Sequence, residues 1–275
     1  VRRVLELRQQ LGKTSNTKYE TIAASAGPDH RVRGTLQFYG ASRTGRWAGR
    51  LLQVQNLPRT YLDHQAEWRS IVKLHDPEAL ALLTYNVSDT LSQLIRTALV
   101  PGKGCTFVDA DFSAIEARLI AWLAGEEWVL DVFRTTGKIY EATAARIFGV
   151  PFDSIVKGNP NYKYRQRGKV ATLALGYQGG VGAMKRMGGD QLGLDDEGLQ
   201  DIVNRWRRQN PSICKLWRRM QDAAVHTIRT GRTTVPRVGV TLRKEVAWGF
   251  PFPFLTIQLP SGRKLFYADP GTTPD

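Results

Sequence analysis

Residues 108–122 read "VDADFSAIEARLIAW" and combine the pattern of a buried strand with that of an amphipathic helix. We predict a short buried strand over residues 105–111, followed directly by a helix that carries Glu116. An Asp at the end of a strand is held rigidly enough to be a metal ligand. An Asp or Ser just before a helix is also a common cap, which Glu116 could complete. Asp111 is therefore a candidate metal ligand or a helix cap, whereas Asp109 is predicted to be structural.

The charge of the chain is strongly positive and unevenly distributed. Its 275 residues include 39 Lys+Arg and 25 Asp+Glu, which gives a net charge of +14. Three stretches contain no acidic residue, namely residues 30–62, 154–189 and 202–220. Such stretches favour a polyanionic partner, and we predict a surface that follows nucleic-acid phosphates. An anionic membrane surface is the alternative.

Neither the hydropathy nor the cysteines point to a membrane or a secreted protein. The sequence has no apolar run of spanning length and no signal-like N-terminus, so we expect no membrane partner and a cytoplasmic location. Cys105 and Cys214 have no second Cys or His at ligand spacing. We expect two ordinary core thiols rather than a disulfide or a zinc site.

The periodicity predicts an α+β protein, with strands toward both ends and a mostly helical middle. A strand is expected in residues 32–40 and an ordered loop over residues 41–59. Residues 63–99 are expected to be mostly helical, with Asp76 as a cap. Further helices are predicted at about residues 2–24, 128–133, 139–148, 164–177, 195–208 and 212–230, and short strands from residue 233.

A second informative stretch is "RQRGKVATLALGYQGG", residues 165–180. Arg165, Lys169, Leu173 and Tyr177 follow one another at four-residue steps, which places them along one face of a helix. Two cations on such a face can hold the phosphates of a nucleotide, and an aromatic ring can stack on its base. An amphipathic surface helix with no ligand is the alternative.

Four segments together resemble one family in order and spacing. Residues 111–122 resemble motif A of the family A (DNA polymerase I-like) DNA polymerases, and residues 165–180 resemble their motif B. The segment "RTGRWAGRLLQVQNLPR", residues 43–59, is similar to the family's Thr-Gly-Arg and Gln-Asn-Ile/Leu-Pro segment. Residues 137–150 resemble the helix between motifs A and B. Trp47 and the sequence around it suggest the bacteriophage-type branch.

This resemblance implies a right-hand polymerase core with a mixed-sheet palm and a mostly helical fingers domain. Residues 1–26 would be a thumb remnant and residues 27–122 the first part of the palm, with the motif A strand. Residues 123–234 would form the fingers, and residues 235–275 would return to the palm. The implied reaction is template-directed addition of dNTPs to a primer 3′-OH by two-metal phosphoryl transfer, with primer–template DNA as partner. Nothing in the sequence identifies a processivity partner.

The resemblance also implies roles for individual residues. Asp111 and the backbone carbonyl of Phe112 would hold two Mg²⁺ ions, and Glu116 would block the 2′-position of the nucleotide. Arg165 and Lys169 would hold the triphosphate. Lys169 would lie beside the phosphates that gain charge as pyrophosphate leaves, so Asp111 and Lys169 are the implied catalytic pair.

Further positions concern the base and the DNA. Tyr177 would pack against the template or incoming base, and Leu173 would lie in the nucleotide site at a position where the family usually has Phe or Tyr. The arginine of Thr-Gly-Arg would contact the minor-groove side of the primer end. The implied DNA-binding residues are Thr44, Arg46, Gln55 and Asn56.

One family motif is missing, and two alternatives remain. The family has a His-Asp-Glu near the end of the palm, and no His-Asp-Glu occurs in these 275 residues. We therefore expect the chain to be a fragment of a longer polymerase that lacks the second catalytic aspartate, and to be inactive alone. The alternatives are a non-catalytic nucleic-acid-binding protein and a relative of the single-subunit RNA polymerases, against which Glu116 argues.

Overall fold

The computed structural model describes residues 4–5, 8, 15–42, 44–246 and 249–272. The chain separates into two compact units, Val1–Asp109 and Ala110–Asp275. The predicted α+β class is confirmed, because sheets lie toward both ends of the chain and most helices lie between them. Among the described residues, no helix has the length and apolar character needed to cross a membrane.

The first unit contains short helices and a β-hairpin. In the hairpin, β1 (Leu36–Ala41) pairs antiparallel with β2 (Arg46–Gly49). The Asp76 carboxylate accepts hydrogen bonds from the backbone N–H groups of Glu78 and Ala79, which confirms the predicted cap. The helices in the described part of this unit are α1 (Thr17–Ser25), α2 (Gln65–Lys73), α3 (Pro77–Leu83) and α4 (Val87–Leu94), with 3-10 turns at Val54–Asn56 and Ile95–Ala98.

The second unit contains a helical bundle followed by a sheet. Its sheet has the order β3 (Thr234–Arg237), β4 (Val240–Val246), β5 (Pro253–Gln258), β6 (Lys264–Ala268), and every pair is antiparallel. The helices are α5 (Ile115–Ala124), α6 (Glu127–Thr135), α7 (Ile139–Phe148), α8 (Lys163–Leu175), α9 (Val181–Arg186), α10 (Asp196–Gln209) and α11 (Pro211–Thr230). In the described residues of this unit, 3-10 turns lie at Phe152–Ser154, Pro160–Tyr162 and Gly189–Leu192.

The main core of the second unit surrounds α8. Val170, Ala171, Ala174 and Leu175 of α8 are buried against apolar side chains of α7, α9, α10 and α11. The sheet packs separately, through Leu242 and its neighbours, against α11 and the end of α5. Burial of apolar surface is the dominant favourable term in folding. Because apolar side chains from four helices pack on α8, its position is fixed from several sides.

Gly168 allows α8 to lie close against α7. A Cβ atom at this position would stand 2.2 Å from the carbonyl oxygen of Tyr140 and 2.9 Å from the Cβ of Ala144. Both atoms belong to α7 or its backbone, so neither can rotate away. Any larger residue must therefore push the two helices apart.

We expect Gly168→Ala to destabilise the protein. Overpacking of this kind costs about 1–3 kcal/mol, and the better helix propensity of Ala returns only about 1 kcal/mol. Thermal unfolding followed by circular dichroism should show a melting temperature lower by a few degrees. Gly182→Ala in α9 is the control, because the nearest atom to its added Cβ is Arg186 Nη1 at 4.0 Å. An equal or higher stability of Gly168→Ala would contradict the close packing.

The strand predicted over residues 105–111 is wrong, because these residues form neither a helix nor a strand. Phe107 is 65% exposed and Val108 is 88% exposed. A strand needs a neighbour to satisfy its backbone N–H and C=O groups, and no described strand pairs with this segment. Cys105 lies in this unpaired segment and is exposed, and Cys214 of α11 is only half-buried, so the expectation of two core thiols is also wrong.

Other elements differ from the sequence prediction in their details. The loop predicted over residues 41–59 contains β2 and a 3-10 turn, because β2 pairs with β1 across a tight connection. Both sheets are antiparallel in the described residues, whereas the predicted palm sheet was mixed. Most of the first half of the helix predicted at residues 2–24 lies outside the described residues. The division into thumb, palm and fingers stays a prediction.

Candidate active site

Arg165, Lys169 and Leu173 lie along one face of α8, as their four-residue spacing predicts. All three side chains are half-buried, while the opposite side of the helix is in the core. Lys169 forms no ion pair with any residue that the structure describes. The core therefore fixes a helix whose outer face presents two cations and an apolar side chain.

Arg165 is held in place by a carboxylate from the neighbouring helix. Its Nε donates to Glu141 Oε1 at 2.7 Å, and the two side chains are 34% and 14% exposed. This hydrogen bond raises the pKa of the Arg165 guanidinium above its ordinary value. The guanidinium also lies over the ring of Tyr140, 5.7 Å from its centroid. Because a guanidinium has five N–H donors, Glu141 orients Arg165 and leaves other donors for a phosphate.

Tyr177 lies beyond the end of α8, because the helix ends at Leu175 and not at residue 177 as predicted. The chain turns back through Gln178, whose φ is +63°. Gly179 then packs on the last turn of α8, where a Cβ atom would stand 2.2 Å from the carbonyl oxygen of Ala174. The glycines therefore form the turn, and the Tyr177 ring is 63% exposed just past the end of the cationic face.

Asp111 and Phe112 lie in the exposed segment that precedes α5. The Phe112 carbonyl accepts a hydrogen bond from the Ile115 N–H at 3.3 Å. The Arg118 Nε donates to the Ser113 carbonyl at 2.9 Å, which ties this segment to the first turn of α5. Glu116 is half-buried in that first turn. Hydrogen bonds to its own backbone carbonyls thus position the segment, and strand pairing does not.

The capping interpretation of Asp111 finds no support in these contacts. The N-cap of α5 is Ala114, with φ +50°, and this position makes no side-chain capping hydrogen bond. In the part of the chain that the structure describes, no group donates to the Asp111 carboxylate. An exposed carboxylate without a structural partner is available for a cation.

The segment of Asp111 and Phe112 offers only a few donor groups to a metal ion. The described residues contain no group of three His, Cys, Asp or Glu side chains that could hold a metal ion. The Asp111 carboxylate and the Phe112 carbonyl are oxygen donors, which Mg²⁺ prefers. Mg²⁺ usually binds through one or two carboxylates together with water and substrate phosphates. These two donors therefore fit a magnesium site that substrate completes.

The predicted DNA-binding residues lie together in the first unit. Thr44, at the turn of the hairpin, accepts from the Arg46 N–H at 3.4 Å through its Oγ1. Both residues are exposed, as are Gln55 and Asn56 of the 3-10 turn. That turn lies close to β2. A Cβ atom added to Gly49 would stand only 2.6 Å from Gln55 Nε2, so the glycine allows this close approach.

Buried side chains and hydrogen bonds anchor the 3-10 turn that carries Gln55 and Asn56. Leu52 and Leu57 are buried with Ile95, and Arg96 donates to the carbonyls of Leu57 and Pro58 at 2.7 and 2.8 Å. The segment thus exposes its amides on a fixed support.

Sequence reasoning missed two carboxylates that organise the second unit. Glu141 orients Arg165. The available signal in the sequence was a single carboxylate among the apolar and small residues of the predicted helix at residues 139–148, because a half-buried carboxylate needs a partner. Glu126 is 5% exposed and accepts from the N–H groups of Ser212 and Ile213 at 2.8 and 3.2 Å. It joins the α5–α6 turn to the start of α11.

Known proteins resemble this chain over most of its length. The model of DNA polymerase family A matches residues 1–240. The DNA polymerase of Bacillus phage SP02 is 51% identical over 270 residues, which are 98% of this chain and 40% of that protein. DNA polymerase I of Pseudomonas aeruginosa is 30% identical over 149 residues, which are 52% of this chain and 15% of that protein. The chain thus spans well under half the length of these relatives.

A solved structure supports the fold. The POL domain of Pol1 from M. smegmatis, in complex with DNA primer-template and dNTP, has a TM-score of 0.53 to this chain at 20% identity. The match covers 80% of this chain and 32% of that one. The phage relative is consistent with the predicted bacteriophage-type branch, and the family match extends over both units. The chain belongs to DNA polymerase family A.

Proposed function

We propose that this chain forms the nucleotide-binding part of a DNA-directed DNA polymerase, which adds dNTPs to a primer 3′-OH under the direction of a template. The observation that carries the proposal is the outer face of α8, where Arg165 and Lys169 stand one turn apart on a helix fixed by the core. Phosphoryl transfer depends mainly on positioning and on cations that stabilise developing charge. A bacterial host cytoplasm is the proposed location.

The triphosphate would lie along α8. Arg165, oriented by Glu141, would donate to its phosphates in a fixed direction, and Lys169 would stabilise the charge that develops as pyrophosphate leaves. Leu173 would contact the nucleotide through apolar surface, and Tyr177 would pack against the template or incoming base. This order of side chains matches the order of groups in a nucleotide, from phosphate to base.

The metal ligands in this chain would be Asp111 and the Phe112 carbonyl, and the proposed ions are two Mg²⁺. When bound, the ions would supply a clamp on the attacking and leaving oxygens. Asp111 would lie opposite the cations of α8 and balance their charge at the reacting phosphate. The exposed position of its carboxylate leaves room for both substrate and water.

Glu116 would exclude ribonucleotides. It follows Asp111 by five residues and lies in the first turn of α5, so it would face the sugar and not the metal. In the full-length protein, we expect Glu116→Ala to raise the incorporation of rNTPs relative to dNTPs by about fivefold or more, since an ordered steric or polar contact contributes about 1 kcal/mol or more. Steady-state single-nucleotide incorporation measures this ratio. Unchanged selectivity would reject the role.

The DNA would be bound mainly through its phosphates, with Arg46 on the minor-groove side of the primer end and Thr44, Gln55 and Asn56 beside it. We expect affinity for primer–template DNA to depend strongly on salt. If about six phosphate contacts form, the affinity of the chain should fall about a thousandfold between about 50 and 200 mM salt. Fluorescence anisotropy with a labelled duplex measures this slope. A flat slope would contradict the electrostatic account.

Primer extension tests the proposed function directly. The full-length protein, a primed template of defined sequence and each dNTP separately should give incorporation of the complementary dNTP only. Efficient incorporation of rNTPs instead would favour the single-subunit RNA polymerase alternative. DNA binding without any extension would favour a non-catalytic DNA-binding protein.

A further inference from the structure

Two short helices of the first unit, α2 and α3, bury very little of their surface. In the described residues of this unit, α2 has no buried side chain and α3 buries only Leu80. We call residues 63–85, which contain both helices, the α2–α3 arm. Among the elements that the structure describes, the main packing partner of each helix is the other. Isolated helices of this length are marginal in water, so the rest of the chain supports them only weakly.

The arm exposes a concentration of large apolar side chains. Leu82 is 88% exposed and Tyr85 is fully exposed. Scattered apolar side chains are common on protein surfaces, whereas a contiguous group is typical of an interaction site. The exposed apolar side chains of the arm all fall within twelve residues of chain, and they are Leu74, Leu82, Leu83 and Tyr85.

Both ends of the arm are fixed on α4. Just before the arm, the Thr60 hydroxyl donates to the Gln93 carbonyl at 2.6 Å, and Gln93 Oε1 accepts from the Tyr61 N–H at 2.8 Å. At its other end, the hydroxyls of Thr84 and Thr90 share a hydrogen bond of 3.0 Å. The apolar side chains are therefore presented from a defined base.

The charge of the arm is opposite to that of the chain. The chain carries a net charge of +14, and the preceding stretch, residues 30–62, contains no acidic residue. The arm has a net charge of −2, from four acidic and two basic residues, namely Asp63, Glu67, Asp76 and Glu78 against Arg69 and Lys73. Asp63 and Glu78 form no ion pair with any residue that the structure describes. This local charge disfavours nucleic acid or an anionic membrane and favours a basic partner.

An apolar group bordered by free carboxylates has the organisation of a protein–protein interface. Such interfaces have an apolar centre, in which Tyr is enriched, and a polar rim. An amphipathic helix is a common occupant, because it lays one apolar face on the surface and leaves charged residues at the edges. A second copy of this chain fits less well, since two arms of equal negative charge would repel each other.

We propose that the α2–α3 arm docks an amphipathic helix of a partner protein. The apolar face of that helix would pack on Leu74, Leu82 and Tyr85, and its Lys or Arg side chains would lie beside Asp63 and Glu78. Binding would stabilise two helices that the chain supports weakly. This interaction goes beyond the proposed polymerase activity and does not depend on it.

The test uses a labelled synthetic helical peptide of about 18 residues, or five turns, with leucines on one face and lysines on the other. Fluorescence anisotropy at about 150 mM salt limits long-range attraction. We expect Leu82→Gln/Tyr85→Gln to weaken binding by about tenfold or more, because burial of a leucine contributes about that factor. Asp63→Asn/Glu78→Gln should weaken it about threefold, as exposed ion pairs contribute less.

The control is Val235→Gln/Val238→Gln, which removes two exposed apolar side chains from the second unit. It should change the affinity for the peptide less than twofold. All variants should melt within about two degrees of the wild type, since exposed substitutions change stability little. Primer extension by the full-length protein should also be unchanged in Leu82→Gln/Tyr85→Gln, because the arm contains none of the proposed site residues.

Hydrogen exchange locates the bound peptide on the chain. In the free chain, amides of residues 65–83 should exchange fast, because these helices have few buried contacts. A saturating amount of the Leu/Lys peptide should slow their exchange about tenfold or more, since binding stabilises the folded form. In Leu82→Gln/Tyr85→Gln the same amount of peptide should leave the exchange nearly unchanged.

Several results would overturn the proposal. A peptide that does not bind, that binds wild type and Leu82→Gln/Tyr85→Gln equally, or that protects only other segments would show that the arm is not the docking site. A dimer seen by light scattering that returns to monomer in this variant would identify a second copy as the occupant. Binding of a single-stranded oligonucleotide that only this variant loses would identify a nucleic acid.

Discussion

Asp111→Asn is expected to abolish nucleotide addition by the full-length protein while leaving DNA binding and stability nearly unchanged. A carboxylate that ligates Mg²⁺ supplies charge that an amide lacks, and loss of metal stabilisation costs several kcal/mol in the transition state. Single-turnover primer extension should therefore slow by about a thousandfold or more. Because Asp111 is exposed and bonds to no described backbone group, the melting temperature should shift by only about one degree.

Asp109→Asn is the matched control for this substitution. It makes the same chemical change two residues earlier, at an exposed position that has no role in the proposed site. We expect its extension rate to stay within a few-fold of the wild type. Near-normal extension by Asp111→Asn, or an equal loss in both variants, would mean that the metal site is misplaced.

Lys169→Ala is expected to cause the second large loss. Removal of one preorganised donor at a site of developing charge costs about a hundredfold to a thousandfold in rate. Because Lys169 forms no ion pair with a described residue, its removal leaves no buried partner unsatisfied, and the fold should survive. Pre-steady-state incorporation of one dNTP would show the loss mainly in the rate constant, with a smaller change in dNTP affinity.

Gln166→Ala controls for the helix itself. Gln166 is exposed on α8, in the turn between Arg165 and Lys169 but on another face. Its rate should match the wild type within about twofold. A rate for Lys169→Ala that equals that of Gln166→Ala would remove Lys169 from the chemistry.

Much of the fold could be predicted where local signals agreed with tertiary contacts. The bounds of α7 match the prediction at both ends, because Gly149 follows a run of small and apolar residues. The cap at Asp76 follows from its place before Pro77. The strand at residues 105–111 was wrongly predicted from its local apolar pattern. A strand depends on a partner strand elsewhere in the chain, and the local pattern does not show whether that partner exists.

The candidate site could be predicted in its residue types but not in its contacts. The four-residue spacing placed Arg165, Lys169 and Leu173 on one face, which the bounds of α8 support. The sequence did not show that Glu141 holds Arg165, because their 24 positions of separation are bridged only by the packing of α7 on α8. It also missed that α8 ends before Tyr177, since the turn is set by the fit of Gly179 against Ala174.

Photo-crosslinking of a dNTP to this chain tests the central claim, that the outer face of α8 is the nucleotide site. A radiolabelled, photoreactive dATP analogue would be bound in the presence of primer–template DNA and Mg²⁺, irradiated, and mapped by peptide analysis. We predict label on the peptide that contains residues 163–177, competed by unlabelled dNTP and strongly reduced in Lys169→Ala. Label that maps to the first unit, or that persists unchanged in Lys169→Ala, would contradict the account.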